Sequence, residues 1–139
     1  MLVAVAIAPL AAHEHATGIV KERMDGMEAI GKAMKAINAR IKANRELGSI
    51  TEDALRAWEL ATRMPSWFPP GSNAHPSEAK SLIWQRWPDF QAKASALETE
   101  LGKLAAVANT GDPKAVAAQF RAVNQACGNC HELYRVRKK

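Results

Sequence analysis

From Ile19 to about Ala43, apolar side chains return at helical spacing: Val20, Met24, Met27, Ile30, Met34, Ile37 and Ile41. Lys21, Glu22, Asp25, Glu28, Lys32, Lys35 and Lys42 fill the rest of the wheel. A stripe of that kind, sustained over about six turns, predicts an amphipathic helix with one face to bury against other helices. Composition agrees. The chain is 47% hydrophobic, too apolar for disorder, and only 6% aromatic with a single Tyr, too poor in strand formers for many short strands. Its 139 residues make one domain, large enough to bury a core without covalent staples.

Gly48 and Ser49 break the first helix. Thr51 is the expected N-cap of a second, with Glu52 and Asp53 favourable to its dipole and Leu55, Trp58 and Ala61–Thr62 as its buried face. Pro65 ends it near Met64. Residues 65–77 hold four prolines and a glycine, yet carry Trp67 and Phe68, so the loop is expected to pack rather than dangle. A third helix is expected from Ser77–Lys80, kinked at Pro88, through Phe90, Ala94, Leu97, Leu101, Leu104 and Val107 to about Ala108. Gly111 then supplies a turn, Asp112 an N-cap and Pro113 a first helical position. The fourth helix carries Val116, Phe120, Val123, Cys127, Cys130, Tyr134 and Val136. The expected fold is all-α, an antiparallel up-down four-helix bundle.

The two cysteines lie three residues apart in Cys127-Gly128-Asn129-Cys130-His131. So short a loop cannot staple a domain. Cys-x-x-Cys-His is the attachment signature of a c-type haem. Positions i and i+3 of a helix share a face about 5–6 Å apart, so two thiols can meet two vinyl groups of one porphyrin edge. His131 then supplies the proximal imidazole. A thioredoxin-like dithiol would need a βαβ context. A zinc site would need two further ligands, and His13, His15 and His75 offer no His-x₃₋₅-His spacing. His13 and His15 could take up copper or nickel adventitiously, and His75 is expected in solvent.

Residues 2–12 are an uncharged apolar run, too short to span a bilayer, that reads as a secretory signal with Ala11 and Ala12 at the cleavage point. The alternative is an apolar helix packed on the domain. The division is thus 1–12 as a signal-peptide-like segment and 13–139 as the domain, with the periplasm as destination and no membrane span in the mature chain. Lys and Arg exceed Asp and Glu by five (19 against 14), which suits acidic partners and is modest for nucleic acid. No nucleophile–base pair, phosphate-cradling loop or carboxylate pair stands out, so the reading is not an enzyme.

The chain resembles the class II c-type cytochromes, the cytochrome c′ and cytochrome c-556 family. The resemblance is carried by Ala126–Arg135 (ACGNCHELYR), Phe68-Pro69-Pro70-Gly71, Ile83-Trp84 followed by Phe90, and Gly111-Asp112, together covering residues 18–137. It implies a four-helix bundle with one covalent haem c near the end of the fourth helix. It also implies a distal residue from the first helix. In typical cytochromes c′ that residue is apolar and leaves a five-coordinate iron for nitric oxide or carbon monoxide; in the c-556 branch it is a ligating methionine. Alignment through Arg23 puts Met27 there, with Met24 one turn earlier. Both are equally readable as core residues.

The resemblance further implies Arg23, Met24, Trp67, Phe68, Phe90, Tyr134 and Arg135 as haem-pocket candidates; Trp58 and Trp84 read as plain core. Arg135 also suits a helix C-terminus. The tail Arg135, Arg137, Lys138 and Lys139 could dock an acidic redox partner or simply be solvated. Family members often dimerise through the first two helices, and exposed apolar residues such as Ile19 and Ile50 would permit this. The expected function is one-electron carriage with His131 and Met27 as axial ligands; the alternative is gas binding at an open distal site.

Overall fold

The structure is a computed structural model that describes residues 15–137. The signal-like segment, His13, Lys138 and Lys139 lie outside the described residues. Helix α1 runs Gly18–Ala43, closed by Asn44 in the left-handed conformation, whose N–H returns to the last turn. A 3-10 turn at Leu47–Ser49 leads into α2, Ile50–Arg63. A second 3-10 turn, Met64–Trp67, opens the proline-rich segment. The short α3, Leu82–Gln85, precedes α4, Trp87–Ala108. Helix α5 spans Pro113–Tyr134. Gly111 turns at φ 68°, and Asp112 accepts from the Lys114 and Ala115 N–H groups, as its place before Pro113 predicts.

The long helices α1, α2, α4 and α5 form the four-helix bundle. Helix α1 packs on α2, α2 on α4, and α4 on α5, whereas α1 and α5 meet sparsely. Ile37, Ile50, Ile83, Leu101, Leu104, Val116 and Val123 are fully buried at the centre, and alanines let α2 approach closely through Ala54, Ala57 and Ala61.

Several expectations are corrected. Thr51 is not the N-cap of α2. It lies inside the helix, and its hydroxyl donates to the Ala105 carbonyl and pairs with Asn109 Oδ1, tying α2 to α4. Leu55 and Trp58 lie on the outer face of α2, 47% and 37% exposed; Trp58 lies across Gly102 of α4 rather than in the core. Pro88 does not kink a continuous third helix: Arg86 interrupts the backbone and Pro88 sits in the first turn of α4, where it forfeits no helical hydrogen bond. Val136 lies past the end of α5. Ile50 is buried and Ile19 half-buried against the core, so neither offers the free apolar surface expected for pairing.

Candidate haem-attachment site

The site forms at the end of the bundle where α1 begins, α5 ends and the segment 64–86 crosses between α2 and α4. Cys127 and Cys130 are half-buried, unbonded to each other, and packed on the core. Burial raises the Cys127 thiol above its ordinary value. It pushes Cys130 up to about 11, with Lys93 opposing and Cys127 and Asp89 adding. Thiols held protonated in this way are unlike the acidic, nucleophilic cysteines of a redox dithiol. Among the described residues no group of three or more His, Cys, Asp or Glu is placed to hold a metal ion.

His131 lines an open groove of about 740 Å³ together with Gly128, Asn129, Glu132 and Arg135. Loss of surrounding water and the Arg135 charge lower its pKa, with Glu78 opposing. Both effects disfavour the imidazolium and so favour the neutral imidazole, the form that coordinates a metal. Arg135 Nε donates to Glu78 at 2.7 Å, and Arg137 lies 3.4 Å from Glu132. The tail cations are thus partly matched by the chain's own carboxylates. Residues 79 and 135 meet in an isolated antiparallel bridge, with Lys80 N–H donating to the Tyr134 carbonyl and Val136 N–H to the Glu78 carbonyl.

Behind the cysteines stands a cluster of rings. Phe90 meets Phe68 edge-on at 4.8 Å and Tyr134 edge-on at 5.5 Å, and stacks with Trp87 at 5.3 Å. The Tyr134 hydroxyl donates to Asp89, and burial with that bond pushes its pKa up to about 12. Trp67 is buried with its ring against Gly26 of α1. Trp84 is half-buried and gives its indole N–H to the Phe68 carbonyl at 2.9 Å, anchoring the loop from α3. His75 is exposed in that loop, as expected.

From α1 come Arg23, buried, and Met27, half-buried against the core. Met24 is half-buried too but stands outside the set packed on the core. Arg23 turns to the loop, its guanidinium 4.2 Å over the Phe68 ring. The structure therefore gathers Arg23, Trp67, Phe68, Phe90, Tyr134, Cys127, Cys130, His131 and Arg135 at one end of the bundle.

Sequence reasoning missed Gly26, Trp87, Asp89 and the Ser72–Glu78 stretch. A glycine inside an otherwise good helix, between Arg23 and Met27, was a readable sign of close approach. The contacts of Asp89 and Glu78 had no local sign.

These donors fit a covalent haem. Two thiols sit one turn apart on a shared face, an imidazole follows, aromatic rings stand behind them, and the sparse α1–α5 seam is the part of the bundle where a flat group displaces least packing.

The family model described as cytochrome C′ matches residues 18–135. The chain belongs to the cytochrome c′ family. It binds the one covalently attached haem c of that family, with two cysteines near its C-terminus. Cytochrome c-556 of Agrobacterium fabrum is 32% identical over 126 residues, covering 89% of this chain and 85% of the relative. Cytochrome c′ of Pararhodospirillum photometricum is 31% identical over 120 residues, covering 84% and 94%. The structure of cytochrome c′ from Thermochromatium tepidum superposes with a TM-score of 0.79 at 27% identity, covering 94% of this chain and all of that one. Among the described residues no helix is long and apolar enough to cross a membrane.

Proposed function

We propose that this family member is a one-electron carrier of the periplasm, with Cys127 and Cys130 as thioether anchors, His131 as proximal ligand and Met27 as distal ligand. One observation carries the distal assignment: Met27, unlike Met24, packs on the core that also receives both cysteines. A bound haem would supply the one-electron exchange. The chain does the rest. The two sulfurs make the attachment permanent. His131 would donate a ring nitrogen. The Met27 thioether, a soft neutral donor, would favour the reduced metal and would keep ligation constant between oxidation states. Phe68, Phe90 and Tyr134 keep water from one flank and lower the local dielectric. No substrate bond is made or broken on this reading, and the partners are other redox proteins.

A second reading has its own support. The relative from Pararhodospirillum is a cytochrome c′ at almost the same identity as the c-556. On that reading Met27 is a core residue, and the open distal face takes nitric oxide or carbon monoxide.

The absorption spectrum of the reduced protein separates the two. A sharp α-band that carbon monoxide leaves unchanged is expected for the carrier, and Met27→Ala should turn it into a broad spectrum that carbon monoxide shifts. A wild type already broad and already shifted by the gas overturns the carrier reading in favour of the second.

A further inference from the structure

Arg23 is 5% exposed. A buried guanidinium is costly unless its N–H groups find acceptors. Among the described residues the hydrogen bonds of this guanidinium all go to one stretch of chain. Nε and Nη2 donate to the Trp67 carbonyl at 3.1 and 3.0 Å. Nη2 also reaches the Ser72 carbonyl at 2.8 Å and hydroxyl at 2.6 Å, and Nη1 the Ser77 hydroxyl at 2.8 Å. The next residue, Glu78, is bound to the other side of the site through Arg135 and the Val136 N–H. Residues 67–80 are therefore fastened to α1 one turn before Met27 and to the end of α5 one turn after His131.

We infer that Arg23 is a positioning residue: by strapping this segment to α1 it holds the α1–α5 seam at a set width and so keeps Met27 where it could serve, with His131, as a ligand to a bound haem. The inference rests on the carrier reading for its ligand, but the strap itself is testable under either reading. Gln cannot reproduce the forked, charged contacts. Lys keeps the charge and loses the fork. Loss of charge-assisted bonds of this kind is sufficient to shift an opening equilibrium about tenfold or more.

The test is carbon monoxide binding to the ferrous holoprotein, followed by absorption at a temperature where all variants are folded. Arg23→Gln is expected to take up the gas at least about tenfold faster than wild type, with Arg23→Lys in between. Ser77→Ala, a milder cut of the same strap that leaves Arg23 in place, is expected to move the rate in the same direction and covers the case in which the Gln variant does not fold. Because the strap acts through Met27, Met27→Ala and Met27→Ala/Arg23→Gln should bind alike.

If the wild type binds the gas readily, the carrier reading fails, and the strap still requires Arg23→Gln and Ser77→Ala to accelerate binding. Unchanged gas kinetics in both variants, with only the melting temperature lowered, overturns the strap whatever the ligation. A double variant faster than Met27→Ala alone overturns action through Met27.

Discussion

Gly26 shows how much one hydrogen atom decides in this chain. A Cβ there would stand 2.3 Å from the Trp67 ring, and Trp67 is 2% exposed, with no room to retreat. In an open helix, Ala in place of Gly gains about 1 kcal/mol of propensity. Overpacking a closed site costs roughly 1–3 kcal/mol, so the clash wins. Gly26→Ala is expected to lower unfolding stability by up to about 2 kcal/mol in urea denaturation, the balance of those two effects. A stability gain would show that the ring is free to move. Trp58 makes the converse point. Its large apolar side chain reads as core, but the structure lays the indole over Gly102, where it covers neighbouring backbone and stays 37% exposed.

Helices α4 and α5 are joined by more than apolar packing. Gln119 Nε2 donates to the Glu100 carboxylate at 2.6 Å and to its carbonyl at 2.9 Å, and Lys103 reaches the same carboxylate at 2.9 Å. The Gln119 bond, then the Lys103 bond and charge, lower the Glu100 pKa from its ordinary 4.5 against a small cost of burial. A carboxylate depressed in the folded state adds stability that is fully present above the unfolded value and is lost as pH falls through the folded one. Denaturation midpoints should therefore fall in acid below pH 4.5, and Glu100→Gln should remove part of that dependence while costing most near neutral pH. Equal acid slopes for the two proteins would show that the contact is already screened out by water. Neither partner was recognisable beforehand, since a polar pair between helices has no periodicity.

At the scale of the whole bundle the seams are unequal. Helices α2 and α4 form the middle, and α1 and α5 flank the thin seam beside the two cysteines. A covalent haem adds contacts where the chain alone makes few. With attachment blocked by Cys127→Ser/Cys130→Ser, hydrogen exchange should quicken most in the first turns of α1 and the last turns of α5, while the centres of α2 and α4 keep their protection. Uniform loss of protection would mean that the haem is required for the entire fold.

The span of α1, the Asp112 cap, the break at Gly111 and the anchoring set Cys127, Cys130 and His131 were legible because each is local: a period, a capping oxygen, a motif three residues wide. The coarser four-helix plan followed from the same periods. Thr51, Leu55, Trp58, Ile50 and the Pro88 break were misread because their fate depends on which helix lies opposite and how closely. Burial is a property of neighbours, and alanine-rich α2 reaches its neighbours with backbone rather than with its large side chains. Arg23's grip on residues 67–77, and Glu78's on the end of α5, join positions dozens of residues apart. Pairings of that range leave no trace in spacing or composition, since chain distance carries no information on contacts that only the packed bundle brings together.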